Sequence, residues 1–151
     1  MTYENILNKL EGKWICQRTN YFLHNQKIIY DQSNMTLEQM KNINILEQKD
    51  NILYHYKLYN KKNNQKSYYL FFKQKQSGFG ELHKITNDKI MYYRFKIYTY
   101  NCIKIESVQN NVVYYEYIYL INPKFKIIIS VLKENQKYLA ASFVTEIKIS
   151  N

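Results

Sequence analysis

Short segments rich in β-branched and aromatic residues follow one another from Lys13 to Ile149, and such segments favour β-strands. Six of the connections between them are polar links of two to six residues. A parallel crossover needs a dozen or more residues, so the strands that these links join must pair antiparallel. The links are Asn60–Gln65, Gln76–Gly80, Asn87–Asp88, Asn110–Asn111, Asn122–Pro123 and Glu134–Lys137. The predicted strands are Lys13–Leu23, Met35–Lys41, Ile52–Tyr59, Lys66–Lys75, Glu81–Thr86, Ile90–Tyr98, Cys102–Gln109, Val112–Ile121, Phe125–Lys133 and Tyr138–Ile149.

A meander of about ten strands favours a closed barrel, because closure removes the exposed edges through which apolar strands aggregate. The first ten residues suit a short helix that Thr2 caps, with Ile6, Leu7 and Leu10 on one face. Gly12 can adopt the left-handed conformation that follows such a helix. The predicted fold is all-β, a single domain over residues 1–151, consisting of an antiparallel barrel with a short N-terminal helix.

Composition argues against several classes of protein. Mean hydropathy is −0.56 and no apolar run approaches the roughly 20 residues that span a bilayer, so we expect no membrane span. The N-terminus lacks the apolar run of a signal peptide and does not resemble a transit peptide. Cys16, Cys102 and the three histidines show no metal-ligand spacing, so we expect no metal site and structural thiols in a reducing compartment.

The net charge of +10 has two interpretations. It fits a barrel that binds nucleic acid, since aromatic residues make up 17% of the chain. However, the basic residues are spread along the chain, no nucleic-acid-binding motif occurs, and Arg18 and Arg94 are the only arginines. Lys, Asn, Ile and Tyr share AT-rich codons, so an AT-rich genome accounts for much of the charge. We therefore expect no nucleic-acid partner.

Three charged residues share strand faces with apolar side chains. Strict alternation places Glu116 on the face of Ile118, Glu146 on the face of Val144, and Arg18 on the face of Trp14. An inward carboxylate is costly unless it meets a cation or the N–H groups of a ligand. An arginine in a lysine-rich chain indicates a need for its planar, bidentate fork. The alternative is that these side chains face solvent. The inward arrangement predicts a barrel with a polar ligand cavity.

Three motifs resemble a known family. The sequence G-K-W at Gly12 resembles the opening of lipocalin-like (calycin) barrels, in which a cation from the last strand packs over the indole, here Lys148 over Trp14. Residues 12–19, G-K-W-I-C-Q-R-T, resemble the G-x-W-x-x-Q-R-T opening of the S-type phycobiliprotein lyases, the CpcS/CpeS family. Residues 116–130 and 141–148 resemble that family's Asn-Pro turn segment and its closing A-S-F-x-[ST]-E-I-[RK]. Residues 41–111 show no alignable motif.

The resemblance implies a lipocalin-like barrel of ten strands that binds a phycobilin and attaches it, as a thioether, to a cysteine of an apo-phycobiliprotein subunit. The bilin, phycoerythrobilin or phycocyanobilin, is then substrate, and no cofactor is permanently bound. The client supplies the thiol, so Cys16 and Cys102 need not react. On this interpretation the catalytic residues, which set bilin protonation, are Glu116 and Glu146; the substrate-binding residues are Arg18 and Lys126 for the propionates, with Ser130, Trp14 and Lys148.

The chain also departs from the family. The strand after the Asn-Pro turn usually carries two arginines, whereas Lys126 and Ile128 stand here, and Arg94 is a candidate replacement. His55, between two tyrosines, is a candidate ligand contact, and a few of the 17 tyrosines are candidates for the cavity wall. A non-catalytic carrier of a small ligand is the main alternative function. A homodimer is an open alternative, and the AT-rich composition without a transit peptide predicts a plastid-encoded stromal protein.

Overall fold

The structure is a computed structural model that describes residues 4–40, 52–72, 78–87 and 89–150. Those residues form one short helix followed by ten strands. In chain order they are α1 (Glu4–Asn8), β1 (Gly12–Phe22), β2 (Lys27–Gln39), β3 (Ile52–Asn60), β4 (Gln65–Phe72), β5 (Gly80–Ile85), β6 (Ile90–Thr99), β7 (Cys102–Gln109), β8 (Val112–Asn122), β9 (Phe125–Glu134) and β10 (Lys137–Ser150). Within the described ranges no helix is long and apolar enough to span a membrane.

The ten strands form a closed barrel in which each strand pairs antiparallel with its neighbours in sequence, and β1 closes the ring by pairing with β10. At the closure Thr19 lies opposite Phe143 and Arg18 lies opposite Val144. This confirms the all-β fold, the strand number and the meander order that alternation and short links predicted.

The main difference from the sequence prediction is β2, which begins at Lys27 rather than Met35. Its first half is largely exposed, so no burial pattern marks it in the sequence. It is a strand because its backbone pairs with β1 along the whole hairpin, for example Ile28 with Tyr21. The predicted helix shortens to Glu4–Asn8. The predicted cap at Thr2 and the predicted strand ends at Lys41 and Lys75 lie outside the described residues.

The N-terminal helix closes one end of the barrel. Ile6 and Leu7 are fully buried in the core, and the Trp14 Nε1–H donates to the Leu10 carbonyl oxygen at 3.0 Å. The Tyr56 hydroxyl donates to the carbonyl oxygen of Leu7. Gly12 has the positive φ that was expected, at 144°, although it begins β1 rather than capping α1. This end is therefore packed shut, with Trp14 as its floor.

Candidate functional site

A cavity of about 240 Å³ lies inside the barrel above Trp14. Side chains from most of the strands line it, together with Leu10 beyond α1. Trp14 is only 1% exposed, whereas Arg18 lines the same cavity and is exposed to solvent, so Arg18 marks the open rim. The polar lining side chains are Arg18, Tyr69, Lys84, Tyr114, Glu116, Lys126, Ser130, Ser142 and Glu146.

Strand register sorts one wall of this cavity into three rows across β8, β9 and β10. Consecutive inward residues of a strand are about 7 Å apart, so each row forms a separate level of the wall. The middle row is apolar and separates a polar row from a charged one. The rows are Glu116–Ser130–Ser142, then Ile118–Ile128–Val144, then Leu120–Lys126–Glu146.

The charged row forms an ion pair at the closed end. Lys126 Nζ lies 3.4 Å from Glu146 Oε1, with both side chains less than one-tenth exposed, and 4.1 Å from the centroid of the Trp14 ring. A buried charge is tolerated when it is paired in this way. Lys148 Nζ lies 4.9 Å from the Trp14 ring, as predicted, and donates to the Lys9 carbonyl oxygen at 3.2 Å. Lys148, the seventh predicted site residue, does not line the cavity. It packs against the Trp14 ring from outside and supports the floor.

The two thiols are poor nucleophiles. Burial raises the pKa of Cys16 well above its usual range, and the carboxylate of Glu146, with which its thiol hydrogen-bonds, raises that pKa further. Burial also raises the pKa of Cys102. A thiolate is the reactive form of cysteine, so neither thiol is activated.

A second buried carboxylate with a cationic partner lies at the polar row. The Tyr114 hydroxyl donates to Glu116 Oε1 at 2.6 Å, and Lys84 Nζ lies 4.0 Å from the same oxygen. Lys84 Nζ also lies over the Tyr69 and Tyr93 rings, 5.1 and 4.7 Å from their centroids. Burial, the largest single effect, lowers the pKa of Lys84, but the charge of Glu116 together with the surrounding tyrosine oxygens raises it by more, and the net pKa is raised. The inward position of Glu116 therefore has a cationic partner, as the cost of burial requires.

Lys84 is the functional candidate that the sequence prediction missed. The signal was its alternation with Leu82, which places both residues on one face of β5. Over a strand of six residues that signal is weak, and one lysine among the twenty in the chain is not distinctive.

Arg18 differs from the other cavity cations. In the part of the chain that the structure describes, its guanidinium makes no hydrogen bond and no ion pair within 4.0 Å. Its register partner on β2, Asp31, forms an ion pair with Lys62 instead. The rim of the cavity therefore presents a cation whose donors are available.

Six of the seven predicted site residues line the cavity: Trp14, Arg18, Glu116, Lys126, Ser130 and Glu146. Two further candidates from the sequence, His55 and Arg94, do not line the cavity. His55 points away from the cavity because its neighbours Tyr54 and Tyr56 belong to the inward face of β3. Arg94 is also outside, exposed and paired with Glu106, because Phe95 takes the inward position on β6. Of the tyrosines, Tyr69 and Tyr114 line the cavity. The described residues contain no cluster of three metal-ligating side chains.

Comparison with known proteins finds a relative in sequence and solved structures with a similar fold. No family model matches the chain. A protein of Gracilaria tenuistipitata var. liui named "Chromophore lyase CpcS/CpeS homolog" is 64% identical over all 151 residues, which cover 100% of both chains. The solved S-type phycobiliprotein lyase CPES of Guillardia theta has a TM-score of 0.74 at 12% identity, covering 100% of this chain and 94% of that one. A protein with unknown function from the DUF3598 family of Nostoc punctiforme has a TM-score of 0.61 at 11% identity, covering 95% of this chain and 49% of that one.

The two solved structures confirm the fold, and the full-length relative confirms the family and the lyase activity that the motifs at both ends of the chain predicted. The barrel encloses a cavity with charged groups along its wall. The chain belongs to the CpcS/CpeS family of chromophore lyases.

Proposed function

We propose that the cavity binds an open-chain tetrapyrrole, phycoerythrobilin or phycocyanobilin, and delivers it to a cysteine of an apo-phycobiliprotein subunit. The observation that carries this proposal is the pairing of an unengaged cation at the rim, Arg18, with an inward carboxylate, Glu116, in one barrel cavity. A bilin has two propionates, which need cations, and pyrrole nitrogens, which need an acceptor. The name of the Gracilaria relative supports the same chemistry.

The roles of the site residues follow from where each lies in the cavity and which of its donors and acceptors are free. Arg18 takes a propionate through its bidentate fork. Glu116 accepts hydrogen bonds from the pyrrole N–H groups, and Ser130, its neighbour in the polar row, donates to the ligand. Lys126 already faces Glu146, so it reaches a propionate only by exchanging that partner. Trp14, braced by Lys148, is the surface on which the chromophore rests.

The attachment step is an addition. The client sulfur bonds to the exocyclic carbon of the ring-A ethylidene, the C=C bond becomes single, and the thiol proton ends on the ring carbon, so no oxidant is needed. Carboxylates beside the pyrrole nitrogens, Glu116 and Glu146, stabilise the cationic bilin and make that carbon more electrophilic. The cavity, about 240 Å³, is smaller than the roughly 300–1,000 Å³ of typical ligand pockets. Part of the bilin therefore extends past the rim, where the client can reach it.

The test is a titration of the purified protein with phycoerythrobilin and, separately, phycocyanobilin. We expect a red-shifted, sharpened absorbance band that saturates at one bilin per chain. We also expect quenched emission from Trp14, the single tryptophan. Incubation of the loaded protein with an apo-subunit should then give a coloured adduct that survives denaturation. An absorbance spectrum unchanged from free bilin would contradict the proposal, and binding without transfer to any apo-subunit would favour the carrier instead.

We further propose a plastid location, which the AT-rich composition and a red-algal relative support. Fractionation with an antibody against the chain tests it, and enrichment outside plastids would contradict it. A homodimer is the other partner that the sequence leaves open, and light scattering of the purified protein distinguishes one barrel from two.

A further inference from the structure

The ammonium group of Lys84 has hydrogen-bond donors that nothing in the described part of the chain uses. An ammonium carries three N–H donors. Its nearest carboxylate oxygen, on Glu116, is 4.0 Å away, beyond the roughly 2.7–3.2 Å of an N–H···O hydrogen bond. Its other close neighbours are the faces of Tyr69 and Tyr93. The group is nevertheless almost enclosed, with the side chain 13% exposed, and it lines the cavity.

An enclosed ammonium with unused donors does not serve the packing of a hydrophobic core. An ammonium taken out of water is costly, and an apolar side chain would fill the same space. Here two ring faces and one carboxylate compensate the charge without occupying its donors. Burial lowers the pKa of Lys84, but Glu116 and the surrounding tyrosine oxygens together raise it above its usual value, so the ammonium stays charged. The arrangement holds a permanent cation whose free donors face the cavity, which suits an anionic ligand group.

We propose that Lys84 is a ligand-binding residue that takes one carboxylate of the ligand from the wall opposite Arg18. The proposal rests on the proposed function, in which the ligand is a tetrapyrrole with two propionates. In the barrel order three strands separate β1 from β5 on one side and five on the other, so Arg18 and Lys84 face the ligand from opposite sides. Two cations placed in this way hold a dianionic ligand across the cavity.

This assignment has a consequence for Glu116. When a ligand carboxylate becomes the partner of Lys84, Glu116 keeps the hydrogen bond from Tyr114 and its remaining lone pairs are available to the pyrrole N–H groups. The Lys84–Glu116 contact is thus an ion pair that opens for the substrate. If Lys84 and Arg18 each bind one carboxylate, tight binding requires both carboxylates of the ligand. The protein should therefore bind the ester of the ligand more weakly than the free acid.

The test compares phycoerythrobilin with its dimethyl ester, which lacks both carboxylates. Lys84→Met should weaken binding of the free acid about 10- to 100-fold and leave binding of the ester within about threefold of the wild-type value. Lys84→Arg should restore most of the affinity for the acid. The matched control is Lys104→Met: Lys104 also has one carboxylate partner, Glu106, and lies over two tyrosine rings, but it does not line the cavity. It should change neither affinity.

Removal of Lys84 alone leaves Glu116 enclosed without its cation, so the pair Lys84→Met with Glu116→Gln, measured against Glu116→Gln alone, repeats the test in a neutral site. Equal loss of affinity for the acid and the ester, or no loss for the acid, would overturn the assignment while wild-type binding still supported the proposed function. If the wild-type protein bound neither probe, the assignment of Lys84 and the proposed function would both be contradicted.

Discussion

Individual side chains inside this barrel show how a small cavity can hold several charges. Glu146 faces Lys126 at the floor, and Glu116 accepts from Tyr114 and faces Lys84 above it. Each carboxylate is therefore compensated before any ligand enters. Arg18, at the rim, needs no such compensation because water reaches it. The cost of burial explains why the paired charges are deep and the unpaired one is exposed.

Replacing Arg18 tests the rim. We expect Arg18→Ala to weaken bilin binding about 10- to 100-fold, because a charge-assisted bidentate contact is lost, with little change in the free energy of unfolding. Titration by absorbance measures the affinity, and denaturant unfolding measures the stability. Arg18→Lys, the control, should recover only part of the affinity because an ammonium lacks the planar fork. Unchanged affinity in Arg18→Ala would show that the propionates bind elsewhere.

Glu116 is expected to matter more for transfer than for binding. Glu116→Gln keeps the shape but removes the charge that stabilises a cationic bilin. The rate of transfer to an apo-subunit should fall about 100-fold, while the dissociation constant changes only severalfold. Single-turnover transfer from preloaded protein separates the two quantities, and loss of the red-shifted band should accompany the slower rate. A variant that lost binding and transfer equally would show Glu116 to be a binding residue only.

His55 makes stability depend on pH. It is 5% exposed, and neither ring nitrogen has a hydrogen-bond partner among the described residues. Burial lowers its pKa, so below about pH 6.5 the unfolded chain binds a proton that the folded chain does not, and stability falls as pH falls. His55→Leu should remove that part of the slope and raise the free energy of unfolding at pH 7 by about 1 kcal/mol.

Urea unfolding at pH 5 and pH 7 measures this effect. The matched control is His24→Leu, since His24 is exposed in the turn between β1 and β2. It should leave the stability at pH 7 unchanged. A His55→Leu variant less stable than the wild type at pH 7 would contradict this prediction and show that the imidazole stabilises the folded chain.

Among the elements, the hairpins set the register of the barrel wall. The loop between β9 and β10 consists of Asn135 and Gln136, with φ of 51° and 69°. Two residues with positive φ form the type I′ turn, whose twist suits a two-residue hairpin. Glycine is preferred at the second position, and the glutamine there is strained. The turn that places Ser130 beside Ser142 is therefore formed at a local cost.

Gln136→Gly should relieve this cost and raise the free energy of unfolding by about 1 kcal/mol. Thermal or denaturant unfolding measures the change. Gln109→Gly provides the opposite control: Gln109 ends β7 in extended conformation, so glycine there should destabilise by about 0.5–1 kcal/mol. Equal effects at both positions would contradict the argument from φ.

The whole molecule is a ring, and its first and last strands complete it. Because β1 pairs with both β2 and β10, the barrel has no free edge. Separating any two neighbouring strands therefore breaks their hydrogen bonds and leaves unpaired backbone on both strands. Unfolding should therefore be cooperative. The two buried thiols report on it from different positions, since Cys16 belongs to the core beside Glu146 and Cys102 begins β7.

Iodoacetamide at pH 8 should label neither cysteine of the folded protein, because burial raises the pKa of both and excludes the reagent. In increasing urea both should become labelled together, at the midpoint where Trp14 emission shifts. Mass spectrometry of the labelled peptides measures each site separately. Labelling of Cys102 well before Cys16 would show that β7 opens on its own.

The comparison of sequence and structure is instructive at particular residues. Alternation placed Glu116, Glu146 and Arg18 on inward faces, and the cavity contains all three. It failed for the first half of β2, where pairing with β1 rather than burial makes the strand. The same alternation, applied to β3 and β6, would have excluded His55 and Arg94, because their inward neighbours are Tyr56 and Phe95.

The sequence by itself determined the antiparallel order, the turns and the inward carboxylates, since each depends on residues close together along the chain. The contact of Lys148 with the Trp14 indole came from the family resemblance, because these residues lie at opposite ends of the chain. Only the tertiary structure decided which charges meet. Lys84 and Glu116 lie on β5 and β8, and their contact exists because the ring brings both strands around one cavity. Side-chain period places a residue on a face, but distances across a barrel depend on closure and register, which no local pattern encodes.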